Sequence, residues 1–174
     1  MTLIVCSLAL MPQVVHERRP SHLLTLIDPG TPVERPLGVD ARRHLRLDLD
    51  DISQPMDGFA APDEASVQRL LAFARTWDAR RPMVVHCFAG VSRSGASAYA
   101  IACERNPGVD EYEIARAMRR AARHAQPNRR IVALADDILG RGGRMVDAID
   151  SIKVNNVQPT GPAYDLPVRY PGWT

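Results

Sequence analysis

Ten consecutive residues, His86-Cys87-Phe88-Ala89-Gly90-Val91-Ser92-Arg93-Ser94-Gly95, bring together the side chains best suited to chemistry. A cysteine and an arginine six positions apart arise readily by chance. A histidine before them, a glycine between and a serine after make the combination specific. A loop of this length between a strand and a helix can curl so that the N–H groups of Phe88, Ala89, Gly90, Val91, Ser92 and Arg93 point inward. With the positive helix N-terminus they would form a cradle for an anion. Gly90 removes a side chain where the turn would crowd it. Arg93 can give two parallel hydrogen bonds to two oxygens of a phosphate, a geometry that lysine cannot match. The same positive field favours the thiolate of Cys87, the nucleophilic form. His86 is expected beneath the loop, orienting it. The hydroxyl of Ser94 can donate to the Cys87 sulfur and stabilise it as a leaving group when a phosphocysteine is hydrolysed. The bland alternative, a structural cysteine at the end of a core strand, leaves Arg93 and the glycine-bearing loop unexplained.

The elements that must position these residues follow from hydropathy and turn chemistry. Leu3–Leu8 reads as a buried strand, although Leu3–Met11 is apolar enough to imitate the core of a secretion signal. It lacks a charged start and a small-residue cleavage site. Pro12 opens a short helix through Val14, Val15 and Arg18. His22–Ile27 is a second strand, stopped by the turn signal Asp28-Pro29-Gly30. Leu45, Leu47 and Leu49 alternate with polar residues, the period of a half-buried strand. A loop over Asp50–Ala61 leads to a helix opened by Pro62, with Val67, Leu70, Leu71, Phe73, Ala74 and Trp77 largely on one face. Met83–Cys87 is short, β-branched and apolar, as suits a strand buried on both faces. Helices are expected over Ser94–Arg105, from about Asp110 to His124 and over Ile131–Leu139, with a weaker one ending near Ile152. This alternation predicts an α/β three-layer domain, a central mostly parallel sheet of four to five strands flanked by helices. Residues 1–154 form that single domain. From Asn155 onward, four prolines, Tyr164, Tyr170 and Trp173 read as an extended tail rather than a core element.

Composition narrows the function classes. The chain has 174 residues, 45 % hydrophobic and 24 % charged, enough for one domain with a real core and unlike a disordered or coiled-coil protein. A net charge of +2 gives no reason to expect nucleic acid or an acidic membrane as a partner. No run approaches the roughly 20 apolar residues of a membrane helix. Cys6, Cys87 and Cys103 are an odd number without a CxxC pair, so neither a disulfide framework nor a zinc knuckle is indicated, and a reducing, cytoplasmic setting is expected. His16, His22, His44 and His124 have no metal-ligand spacing.

The segment His86–Ser94 resembles the protein tyrosine phosphatase superfamily, in its compact dual-specificity branch, through the signature HCxxGxSRS. Ala98-Tyr99 is similar to the Ala-Tyr of that family's AYLM segment, and Arg119-Arg120 followed by Pro127-Asn128 to its R…PN segment. The resemblance covers about residues 43 to 140. It implies a phosphatase-like fold and a two-step reaction without metal or cofactor. Cysteine attacks phosphorus, an aspartic acid protonates the leaving oxygen, and the same aspartate then activates water. Cys87 would be the nucleophile, Arg93 and the loop amides the phosphate site, and Ser94 an aid to the second step.

Three carboxylates qualify by position for the acid: Asp50, Asp51 and Asp57. Asp51 directly follows the alternating strand, the placement the resemblance implies, and is favoured. A longer loop than the family usually carries keeps Asp57 and Asp50 open. Among weaker features, Arg116, Arg119, Arg120 and Arg123 line one helix face and, with Arg129 and Arg130, form the most basic stretch. A solvated face is the plainer reading and a second anion site the sharper one. Cys6 as a resolving thiol for Cys87 is disfavoured against a core cysteine. The uncharged loop residues lack the lysines expected for polyphosphorylated inositides. A phosphorylated protein or a small phosphomonoester is therefore the expected substrate. The rivals are a non-catalytic phospho-binding pseudophosphatase, and another Cys-x5-Arg enzyme such as an arsenate reductase or one acting on an RNA 5′-phosphate.

Overall fold

The order of hydrophobic runs along the chain becomes a layered structure because the three central strands of its sheet bury both their faces. The structure, a computed structural model, describes residues 1–153 and 158–170. Five strands, β1 (Thr2–Ser7), β2 (His22–Ile27), β3 (His44–Asp48), β4 (Met83–Cys87) and β5 (Tyr164–Pro167), form one sheet in the order β3-β2-β4-β1-β5. The first four run parallel and β5 is antiparallel to β1. The helices are α1 (Met11–Arg18), α2 (Glu64–Arg75), α3 (Arg93–Arg105), α4 (Glu111–Ala121), α5 (Arg129–Ile138) and α6 (Arg144–Ser151). None of these is long and apolar enough to cross a membrane among the described residues.

Alternation along β1 and β4 sends successive side chains into two different cores. On one side Ile4, Cys6, Leu23 and Val84 pack against Met11, Val14 and Val15 of α1. On the other, Leu3, Val5, Leu24, Val85 and Cys87 pack against α2 to α6. Cys6 and Cys87 therefore point to opposite faces of the sheet. Burial pushes the Cys6 thiol up to about 12, with the nearby Cys87 adding to the rise.

Because β1 leads into α1 on one face and β4 into α3 on the other, the chain parts in opposite directions after these two neighbouring strands. That opens a crevice at their carboxyl ends, where open α/β sheets bind ligands. Asp28 and Asp51 follow the carboxyl ends of β2 and β3, and Cys87 is the last residue of β4, so all three lie along this edge.

Helix starts are set by side-chain caps. Asp63 accepts from Ser66 N at the start of α2, Asp110 from Tyr112 N at α4, and Asn128 from Arg130 N and Ile131 N at α5. Helix α4 stops at Ala121, short of the expected His124. The Arg119 guanidinium takes up the carbonyls of Ala122, Arg123, Ala125 and Ile152, closing the helix end.

The segment expected as an extended tail needs correction where it is described. Tyr164, Leu166 and Val168 are buried, and β5 covers the outer edge of β1. Four prolines obscured this strand, since proline tolerates only edge positions, and an edge is where β5 lies. The expected boundary at residues 154 and 155, and Trp173, lie outside the described residues.

Candidate active site

The loop between β4 and α3 is held from below and from both sides. Gly90 has φ +74°, and a Cβ there would lie 2.7 Å from Ser7 N and 2.8 Å from Cys6 C. Only glycine fits, because the obstruction is backbone of β1. Leu8 N donates to Phe88 O at 3.1 Å, tying the loop to the chain leaving β1. On the other side Gln126 N donates to Val91 O at 2.9 Å and Asn128 N to Ser92 O at 3.3 Å.

Within the loop Cys87 Sγ lies 3.1 Å from Ser94 Oγ and receives the Gly90 N–H at 3.3 Å. The sulfur thus lies against the first turn of α3, within reach of a hydroxyl and a backbone N–H. Cys87 is buried, whereas Phe88 is 59 % exposed at the mouth of the loop. Val91 is buried, and Ala89 and Ser92 are half-buried.

His86 is fully buried on the α1 face of the sheet, beneath the loop. Its Nε2 lies 2.7 Å from Thr25 Oγ1, which in turn lies 2.9 Å from His44 Nε2. Burial pushes His86 down to about 4, so the ring is neutral near neutral pH.

Arg93 begins α3 and is 3 % exposed. Its Nη1 donates to Asp28 Oδ1 at 3.0 Å and to Leu49 O, and Nη2 reaches Asp28 Oδ2 at 3.5 Å. Its Nε is buried without a hydrogen-bond partner, 3.9 Å from Asp51 Oδ2. Sequence reasoning took Asp28 only as a turn residue. Its position directly after a parallel strand was the one available signal.

Of the three candidate acids, Asp51 lies against the loop. Its Oδ1 accepts from Ser92 Oγ at 2.7 Å and from Asn128 Nδ2 at 2.9 Å. Asp50 instead closes the neck of its own loop, exchanging bonds with Ala60 through its backbone N at 2.8 Å and through Oδ2 at 2.6 Å. Asp57 is exposed in the turn between them. Asn128 was legible only as part of a resemblance, and its grip on Asp51 depends on the approach of two segments far apart in sequence.

Half of the basic stretch is spent on internal partners, whereas Arg116, Arg120 and Arg123 are exposed. Besides the carbonyls held by Arg119, Arg129 pairs with Asp150 and Arg130 donates to Pro62 O. Among the described residues, no group of three or more His, Cys, Asp or Glu side chains is arranged to hold a metal ion.

The family model for protein-tyrosine phosphatase matches residues 56–128, a span that contains the whole of His86–Ser94 and ends at Asn128. Among curated protein sequences none matches. The fold is similar to a mouse putative dual specificity phosphatase, with TM-score 0.59 and 18 % identity, covering 84 % of this chain and 86 % of that one. The Yvh1 phosphatase domain from Chaetomium thermophilum aligns at TM-score 0.60 and 20 % identity, over 82 % of this chain and 93 % of that one. PTPMT1, solved in complex with PI(5)P, aligns at TM-score 0.60 and 17 % identity, over 80 % and 91 %. The family model matches over the loop, and the fold around it is similar to that of a compact dual specificity phosphatase: over this part of the chain the protein resembles the protein-tyrosine phosphatases.

Proposed function

We propose that the protein is a cysteine-dependent phosphomonoesterase acting through a phosphocysteine intermediate, a protein tyrosine or dual-specificity phosphatase. The observation that carries the reading is the pair of contacts on Cys87 Sγ, with Ser94 Oγ at 3.1 Å and the donating Gly90 N–H at 3.3 Å, in a loop that also supplies Arg93. Cys87 attacks phosphorus in line with the leaving oxygen, and the Cys–P bond forms as the P–O bond breaks. Arg93 and the amides of the loop from Phe88 to Arg93 hold the three equatorial oxygens, whose charge grows in the transition state. Asp51, beside the loop, gives its proton to the departing alkoxide or phenoxide. In the second step it takes a proton from water as that water attacks phosphorus, and the Cys87 thiolate leaves with Ser94 donating to it. His86 keeps the base of the loop fixed.

The exposed Phe88 and the uncharged Ala89, Val91 and Ser92 favour a phosphorylated protein over a polyphosphorylated lipid headgroup. The likeness to PTPMT1 keeps a small or lipid phosphomonoester as the second reading. Hydrolysis of an aryl phosphate by wild type and Cys87→Ser, with EDTA present and with or without vanadate, tests the chemistry. Turnover that survives EDTA, falls with vanadate and vanishes in the variant, while the variant still binds the ester, is the expected outcome. Turnover that persists in Cys87→Ser sinks the assignment. A folded, reduced wild type that binds phosphate esters without turning them over is instead a phospho-binding module.

A further inference from the structure

The floor and both walls of the loop between β4 and α3 meet strand β5, which the loop motif does not contain. Tyr164 of β5 stands opposite Val5 of β1, just before the Cys6 and Ser7 backbone on which Gly90 rests. Val5 is in turn opposite Val85 of β4, so the side chains of Tyr164, Val5 and Val85 share one face of the sheet. Cys87 follows on that face, two residues beyond Val85. From there the Tyr164 side chain reaches both walls. Its ring meets that of His124 edge-on, with centroids 5.6 Å apart. His124 precedes Gln126 and Asn128, whose backbone N–H groups hold Val91 O and Ser92 O. A Cβ on Gly161 would lie 2.0 Å from the same ring, so the chain entering β5 passes directly against it. The Tyr164 hydroxyl lies at the first turn of α3, 3.2 Å from where a Cβ on Gly95 would be.

That hydroxyl is buried and has no hydrogen-bond partner among the described residues. A buried donor left unpaired works against stability, and phenylalanine would fill the same core without that cost. What the oxygen adds is reach, since a phenyl ring would stop short of Gly95. Burial pushes the phenol up, the charge of Cys87 adds to the rise and Arg119 opposes it, so the group keeps its hydrogen. We propose that Tyr164 is a positioning residue of the active site, through which the C-terminal strand braces the loop on its floor and both walls. Its role rests on the phosphatase reading and deepens it, because the loop then holds an oxyanion in place only while β5 is docked.

The plainer role is packing, for Tyr164 belongs to the same buried core as its strand neighbour Leu166. The two roles differ in what is lost. Packing alone lets function fail only as the fold fails. A brace loses function in a chain as stable as wild type, because a small displacement of the groups that hold the reacting atoms costs rate before it costs stability.

The experiment compares wild type, Tyr164→Phe and Val15→Ala as full chains. Val15 is buried on the opposite face of the sheet and serves as the control for stability. Aryl phosphate turnover, tungstate affinity by calorimetry and melting temperature are measured for each. In Tyr164→Phe the melting temperature is expected to stay level or rise, while kcat falls about fivefold and tungstate binding weakens about threefold. Val15→Ala is expected to melt lower and to keep kcat and affinity within about twofold of wild type. Values within about twofold of wild type for both quantities in Tyr164→Phe, or a kcat that follows melting temperature across the three chains, overturn the proposal. Coupling between sites is reciprocal, so tungstate bound to wild type is expected to slow hydrogen exchange of the Tyr164, Asp165 and Leu166 amides about threefold more than those of α1. Equal slowing in both elements also overturns it. Should wild type bind tungstate but turn nothing over, the phosphatase reading fails while the brace is still judged by affinity and exchange. If wild type binds no tungstate, both fall.

Discussion

At Asp51 two donors sit on one oxygen. Ser92 Oγ and Asn128 Nδ2 both bond Oδ1, which leaves Oδ2 turned toward the Arg93 side of the loop. In the proposed role of Asp51 as the acid, the proton must come from an oxygen that is free, so the pair Ser92 and Asn128 decides which oxygen that is. Ser92 makes no side-chain cap to α3, and its hydroxyl is free for Asp51 alone. Ser92→Ala is therefore expected to slow hydrolysis of esters with poor leaving groups about threefold to tenfold, with stability nearly unchanged. A series of aryl phosphates of rising leaving-group pKa checks this. An unchanged slope against leaving-group pKa would remove Ser92 from the acid's support. Asn128→Ala is expected to steepen the slope further and also to cost about 1 kcal/mol, because the same side chain caps α5.

Gly90 sits over β1, and the contact is with backbone that cannot turn aside. Gly90→Ala is expected to cost at least about 2 kcal/mol in urea unfolding and to abolish oxyanion binding, combining a forced left-handed φ with a clash. If the variant binds tungstate like wild type, the fit of the loop on β1 is looser than described. How far these elements were legible in the sequence varies with how local their cause is. Met83–Cys87, the loop and α3 were readable because a buried strand, a glycine and an alanine-rich helix follow one another within 23 residues. Strand β5 was not, because its pairing with β1 spans the chain and its two prolines, Pro162 before it and Pro167 at its end, mimic an extended tail. Asp28 escaped for a related reason. As a residue type in an Asp-Pro-Gly turn it has a sufficient local explanation, and its bond to Arg93 is visible only once β2 and β4 are neighbours. On the basic face of α4, where a solvated surface is the plainer reading, sequence cannot show that Arg119 is turned onto carbonyls.

For the molecule as a whole, buried histidines make stability depend on pH. His86, His22, His44 and His124 are all pushed down, chiefly by burial. The folded state keeps His86 neutral to about 4, whereas the unfolded chain takes up its proton near 6.5. Between those values the unfolded state binds more protons, so stability is full above about 6.5 and is lost as pH falls toward 4, by an amount of order 3 kcal/mol for His86 alone. Urea midpoints at pH 7 and pH 5 check the sign, and equal midpoints would contradict a buried neutral His86. Truncation in β5 probes the same global stability from its far edge. Leu166→Ala, at a fully buried position, is expected to cost about 2 to 5 kcal/mol. Asp165→Asn, which breaks an exposed pair with Arg18, is expected to cost less than about 1 kcal/mol.

Strand β1 lies between β4 and β5, partners that enter the chain some 80 and 160 residues later. Such pairings close very large loops before any contact rewards them, so the folding transition is slow for a chain of this size. Until β5 arrives, β1 shows an unpaired edge of apolar strand, a template to which a second unfolded chain can add. The loop that crowns β4 also rests on Cys6 and Ser7 of β1. Competence to bind an anion should thus appear late in refolding, after the far end of the chain has come home, and yield on expression should be governed by how long that edge stays open.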